Sequence, residues 1–329
     1  MTKEKSKPVL LSGIQPSGKL HIGNYFGAMK QFVDLQNLDK YECYFPIVDL
    51  HTLTSLKKPN QLSDNIIDIY LDYLAIGIDP EKSLVFQQSA APQVTELAWI
   101  FSTLVTVPWL ERAHAFKDKT AKGLIPNVGL FTYPILMAAD MVIADAQIVP
   151  VGEDQRQHIE MTREIVRKFN DQYQTDILIE PQEMIKKDVA TVPGIDGAKM
   201  SKSYGNTIPL FSDRETLQSL AMSVVTDSTP KGQAVDPESN AIYQLYKLVA
   251  SEDDTANMAN EFRIGELGFK DAKERLGEAL DSFIAPMRDV RNNLDYNDAK
   301  SKLMNANRQA FDTYQQKIKQ VKNVIGLQV

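Results

Sequence analysis

The chain has 329 residues, 43% of them apolar. That supports a buried core and predicts two domains, because single cores usually split beyond roughly 250–300 residues. Its apolar runs fall short of the ~18–20 residues needed to span a bilayer, and its start lacks the charged-then-apolar order of a signal peptide, so a cytoplasmic location and no membrane partner are expected. A net charge of −7 argues against a surface that binds nucleic acid throughout, although basic patches acting within a Debye length of about 8 Å remain compatible with RNA. The single cysteine, Cys43, excludes an internal disulfide and a cysteine-rich zinc knot, and its apolar neighbours favour a buried structural thiol.

In chain order, the polar stretch Met1 to Lys7 is expected to be disordered. Val9 to Ser12 reads as a first strand, and Gly23 to Leu38 as a helix with Phe26, Met29 and Val33 on one side. Tyr44 to Val48 is the next strand, Leu62 to Ile76 a helix and Ser83 to Gln87 a further strand. Residues 92–133 are mostly helical and aromatic, which suggests an insertion. Trp99, Phe101, Trp109 and Leu110 in it suit either an interface or the core. The alternation resumes with a helix over Tyr133 to Ile143, a strand over Gln147 to Val151 and a long helix over Glu153 to Phe169, where Ile159, Thr162, Val166 and Phe169 share a face. From Arg214 onward the pattern is helical. The fold class is therefore α/β: a Rossmann-like parallel-sheet domain over 1–208 with the insertion, then a helical bundle over 209–329. Charge is uneven within the bundle, with 6 basic and 12 acidic residues from Ser251 to Ala299, but 6 basic residues against Asp312 alone from Lys300 to Val329.

Gly13-Ile14-Gln15-Pro16-Ser17-Gly18-Lys19-Leu20 nearly matches a phosphate-binding P-loop. Leu20, however, replaces the hydroxyl that would hold magnesium, and Pro16 removes one N–H donor. A P-loop NTPase and a dinucleotide enzyme are both disfavoured. The glycines still imply a tight turn or a close backbone approach. His21-Ile22-Gly23-Asn24 follows at the helix start, where two polar side chains flank a glycine that can admit a flat base or ribose, and helix-terminal N–H groups add positive potential. Asp196 to Ser203 contains Lys199-Met200-Ser201-Lys202-Ser203. Two lysines three apart among serines suit a mobile cationic loop able to neutralise a pyrophosphate leaving group.

His21 to Asn24 and Lys199 to Ser203 resemble the two signatures of class I aminoacyl-tRNA synthetases. Ser12 to Ala28, Thr132 to Asp140 and Val149 to Glu160 resemble the bacterial-type tryptophanyl branch. The resemblance implies ATP-dependent activation of L-tryptophan and its transfer to tRNA(Trp), with Mg²⁺ carried by ATP, no dedicated metal site, and a homodimer built largely by the insertion. It gives Asp140 the indole N–H, with Met137 and Leu11 lining the ring pocket and His51 beside it. Tyr133, Gln155 and Gln15 would hold the amino and carboxylate groups, and Asp154 the ribose. His21, Asn24, Lys119, Lys199 and Lys202 would surround the phosphates, with Gly23, Gly152, Met200 and Ser201 completing the nucleotide site. Ala113-His114-Ala115-Phe116-Lys117, ahead of Lys119, departs at Ala115 from the glutamine that many members carry. The helical domain, with its basic tail, would read the anticodon, and its last helix could pack back on the catalytic domain. A tyrosyl-tRNA synthetase and a non-catalytic RNA-binding relative are the alternatives.

Overall fold

Short apolar strands flanked by helices on both sides build the centre of the molecule. The computed structural model describes residues 7–54, 59–113, 127–185, 192–230 and 232–327. Among these, one sheet contains β1 (Val9–Leu11), β2 (Glu42–Tyr44), β3 (Ser83–Leu84), β4 (Ile148–Pro150) and β5 (Gln182–Met184). All pairings are parallel, in the order β3-β2-β1-β4-β5. Strand order reverses between β1 and β4, and such a switch opens a crevice beyond the carboxyl ends of the two strands.

Successive strand side chains point to opposite faces, and here the alternation divides the core. Leu10 and Cys43 join one apolar cluster, while Leu11, Tyr44 and Leu84 join the other. Cys43 is 2% exposed, and burial pushes its thiol up to about 11, as suits a structural residue.

After β1 the chain forms the turn Ile22–Asn24, a wide π turn over Tyr25–Met29, and helix α1 (Lys30–Asn37). The helix expected over Gly23 to Leu38 is thus present, with an interior π turn that apolar spacing did not signal. β2 begins before the expected Tyr44. Pro46 has no N–H for the ladder, so pairing beyond Tyr44 shrinks to bridges from Ile47 to Ile14 and Gln87. β5 was not anticipated, because Gln182-Glu183-Met184 is a polar edge segment with no apolar run.

Helix α2 (Pro59–Ala75) is followed by α3 (Gln93–Ser102) and α4 (Val128–Ile143). α4 starts ahead of the expected Tyr133 because Asn127 caps it, accepting from the Leu130 N–H at 2.7 Å. The 3-10 turn Glu153–Gln155 leads into α5 (Arg156–Tyr173), which buries Ile159, Thr162, Val166 and Phe169 as their spacing predicts. Within the segment read as an insertion, Phe101, Trp109 and Leu110 are buried, whereas Trp99 is 73% exposed.

The carboxyl-terminal part comprises α6 (Arg214–Ser223), α7 (Ala241–Val249), α8 (Glu252–Arg263), α9 (Phe269–Asn293) and α10 (Tyr296–Val324). Leu276, Leu280 and Ile284 of α9 share the cluster of Ile22 and Met29. Ala310, Tyr314, Ile318 and Val321 of α10 complete the opposite cluster with Phe86 and Phe101. Arg291 ties α9 to α2 through Asp72 at 2.7 Å and Asp68 at 2.8 Å. Burial raises the Asp72 carboxyl to about 6 despite the opposing pull of Arg291.

Lys317 of α10 is 6% exposed, gives a hydrogen bond to the Ile177 carbonyl at 2.6 Å and pairs with Asp145. Lys317→Met retains the packed stem but removes both contacts. It should lower stability by about 2 kcal/mol, the scale of a hydrogen bond to a charged group. Urea unfolding will measure this, and an unchanged midpoint would refute the tie.

Candidate active site

Two adjoining cavities occupy the crevice above the β1–β4 switch. The first, of about 340 Å³, is lined by Leu11, Gln15, His51, Tyr133, Met137, Asp140 and Gln155, together with Phe32 and Val149. The second, of about 780 Å³, is lined by Gln15, His21, Gly23, Asn24, Gly152, Asp154, Lys199, Met200, Ser201 and Lys202. The structure therefore brings together every candidate substrate- and nucleotide-site residue except Lys119. That residue lies outside the described residues, as do His114 to Lys117. Gly13, Gln15, Ala28 and Gly152 line both cavities, so contents of one would meet contents of the other across them.

The first cavity is mostly apolar, with one buried carboxyl group. Asp140, on α4, is 7% exposed and accepts from Gln88 Nε2 at 2.8 and 2.7 Å. His51 Nε2 lies 3.0 Å from its second oxygen. A buried carboxylate needs such partners to remain charged. Tyr133 OH is 2.6 Å from His158 Nε2, and burial, then the charge of Asp154, raises its pKa to about 12, so it remains a phenol at neutral pH. At the mouth, Gln155 Nε2 gives a bond to Asp154 at 2.8 Å. A Cβ on Gly152 would lie 2.6 Å from Asp154 Oδ1, so the glycine lets this exposed carboxylate stay where it is.

In the second cavity, His21 precedes the helical run and its N–H gives a bond to Asn24 Oδ1 at 3.1 Å. Its Nδ1 is buried with no hydrogen-bond partner. Burial, then the nearby charge of Lys202, lowers its pKa to about 4. The ring is neutral at pH 7 and can act as a neutral hydrogen-bond donor. Leu20, which replaced the P-loop hydroxyl, is buried in the core.

The lysine loop is held from below by Asn206, 2% exposed. Its Oδ1 accepts the Ser201 N–H at 2.7 Å, while its Nδ2 bonds the Lys199 carbonyl at 3.1 Å and Asp196 at 2.7 Å. Gly194 leaves room for this side chain, since a Cβ there would lie 2.3 Å from Asn206 Nδ2. Lys202 crosses to the glycine-rich turn just ahead of the other signature, bonding the Gly18 carbonyl at 2.9 Å. Burial lowers its pKa, partly offset by Asp72.

Sequence reasoning missed Gln88, Asn206 and His158. Asn206 follows the lysine loop closely enough that its tie could have been sought. Gln88 gave no signal, and His158 stood in the stretch Val149 to Glu160 without a role assigned to it, since neither lies in a spacing that chemistry requires.

His21 carries a pH prediction. Its unfolded pKa is near 6.5 and its folded value about 4, so between these pH values the unfolded chain takes a proton that the folded chain refuses. The stability it protects is full above pH 6.5 and is lost as pH falls toward 4. At pH 5, wild type should have lost roughly 1–2 kcal/mol more than His21→Asn. Equal pH slopes in denaturant melts would refute the depressed pKa.

The chain matches the family "tRNA synthetases class I (W and Y)" over residues 3–285 and belongs to it. It is 48% identical over 321 residues to a tryptophan–tRNA ligase of Fusobacterium nucleatum, covering 96% of this chain and 97% of that protein. A tryptophan–tRNA ligase of Rhodopirellula baltica is 44% identical over 286 residues, covering 87% of this chain and 88% of that protein. The crystal structure of a Campylobacter jejuni tryptophanyl-tRNA synthetase complexed with ADP and tryptophan superposes with a TM-score of 0.88 at 40% identity, covering 96% of this chain and 99% of that one. These relatives fall in the tryptophan branch of the class.

Proposed function

We infer that this chain is a tryptophan–tRNA ligase, which activates L-tryptophan with ATP to tryptophanyl-AMP and transfers the tryptophanyl group to tRNA(Trp). One observation carries the chemistry: an apolar cavity with a single buried carboxylate shares walls with the cavity between the two signatures. An indole offers one donor on a large apolar body, and one convergent acceptor suits it.

In the proposed roles, Asp140 accepts the indole N–H, while Leu11, Met137 and His51 bound the ring. Tyr133, Gln15 and Gln155 hold the amino and carboxylate groups. Asp154 grips the ribose against Gly152, and His21, Gly23, Asn24, Met200 and Ser201 receive the nucleotide. A tryptophan carboxylate oxygen attacks the α-phosphorus, the bond to the bridging oxygen breaks, and pyrophosphate leaves with its charge met by Lys199 and Lys202. Lys119 is proposed to join this clamp. The terminal ribose hydroxyl of tRNA then attacks the activated carbonyl, and AMP leaves. No protein nucleophile is required, so orientation and charge stabilisation supply the rate.

Among the described residues, no group of three or more His, Cys, Asp or Glu could hold a metal ion. Mg²⁺ would travel with the ATP phosphates and help neutralise them. No helix among the described residues is long and apolar enough to cross a membrane. We place the enzyme in the cytoplasm, with residues 1–208 as the activating domain and 209–329 as the anticodon-reading domain. A homodimer would pair largely through the segment 92–133, where Trp99, Val107 and Val128 are exposed.

Pyrophosphate exchange run with each amino acid tests the function. Tryptophan should be strongly preferred, and charging should follow with tRNA(Trp). Faster exchange with tyrosine would overturn the assignment.

A further inference from the structure

Gln88 stands immediately behind the amino acid cavity. It opens the 3-10 turn Gln88–Ala90 after β3 and is completely buried. Its own N–H gives a bond to the Ile47 carbonyl at 3.0 Å, which fixes its backbone beside the sheet. Its amide oxygen accepts the Leu50 N–H at 3.1 Å. A backbone N–H can only donate, so the amide oxygen must face Leu50 and the NH₂ group must face Asp140. Both Asp140 oxygens lie within hydrogen-bond distance of that nitrogen, at 2.8 and 2.7 Å.

An ionised carboxylate has about four lone-pair directions. Gln88, which is not among the cavity's lining residues, meets both oxygens, and His51 lies beside the second. Asp140 itself lines the cavity, so acceptor capacity that these partners leave unused is open to a ligand there. Without the amide, the carboxylate could turn about its soft terminal torsion, which has broad minima.

We infer that Gln88 is a positioning residue that fixes the Asp140 carboxylate so that one acceptor direction faces one ring N–H of the substrate, and thereby sets selectivity for tryptophan. This rests on the reading of Asp140 proposed above. Gln88 does not line the cavity, so it acts through Asp140.

Tryptophan-dependent pyrophosphate exchange by the full chain provides the test. The probes are L-tryptophan and its benzothiophene analogue, in which sulfur replaces the ring N–H. Two variants are compared. Gln88→Met keeps length and packing but removes the amide. Gln88→Glu keeps an acceptor for Leu50 but turns a second carboxyl toward Asp140. In both, KM for tryptophan should rise at least about tenfold while KM for ATP stays within about twofold. The kcat/KM ratio of tryptophan over the analogue should fall at least about tenfold, the loss expected for one hydrogen bond to a charged group. A ratio unchanged in both variants but lost in Asp140→Ala, which removes the acceptor, would overturn the role of Gln88 while leaving that of Asp140 intact. A ratio unchanged in Asp140→Ala would overturn the reading of Asp140, and the inference with it. Equal rises in KM for ATP and tryptophan, with the ratio intact, would mean that Gln88 only supports packing, which also overturns the inference.

Discussion

Lys202→Ala should lower kcat for tryptophan-dependent pyrophosphate exchange by roughly 10²–10³-fold, the range found when one preorganised charge-stabilising donor is removed. The lysine bonds the Gly18 carbonyl at 2.9 Å and approaches Ser17 Oγ at 3.4 Å, spanning the cavity between the two signatures. These are weak, neutral partners for an ammonium. Phosphate oxygens carrying the charge of a departing pyrophosphate are stronger ones, so the interaction grows as the bond breaks. That difference between ground and transition state lowers the barrier. KM for tryptophan should move little, because the amino acid cavity is not lined by Lys202. Thermal unfolding should also be nearly unchanged, since the side chain lies near the surface. Stopped-flow measurement of adenylate formation gives the value directly, and a rate within threefold of wild type would refute the clamp.

Asp140→Ala should lower kcat/KM for tryptophan by roughly 10³-fold, chiefly through KM, with KM for ATP little changed. Sites built around a substrate N–H lose most when the matching group is removed, because polar atoms are left unpaired in a dry environment. Here the variant also strands Gln88, which is completely buried, and removes the partner of His51. A lower melting temperature should therefore accompany the kinetic loss, and bound tryptophan should partly restore it less than in wild type. Calorimetric titration with tryptophan separates binding from chemistry. Affinity near that of wild type would sink the assignment of Asp140 as the indole acceptor.

The two signatures and the glycine-rich turn were legible because their chemistry demands particular residues at particular spacings. Strand–helix alternation was legible for the same reason, since parallel strands buried on both faces need continuous apolar runs. What escaped was local or long-range. The π turn over Tyr25–Met29 has no distinct apolar period. β5 is a polar edge strand. Pro46 stood in plain view inside the expected strand, and its missing N–H already marked the ladder as interrupted there. Gln88 reaches Asp140 across 52 positions of sequence, and only the folded sheet makes them neighbours. Asn206 lay close to its loop, yet a side chain that supports backbone leaves no pattern until the loop's path is known.

The closing role of α10 has a consequence for folding. Tyr314, Ile318 and Val321 share an apolar cluster with Phe86 and Phe101, residues far from them in sequence. Contacts of that kind close a long loop and form slowly. A variant truncated ahead of Tyr314 would keep one apolar flank uncovered, and should be a sticky, chaperone-recruiting product in place of a shorter enzyme.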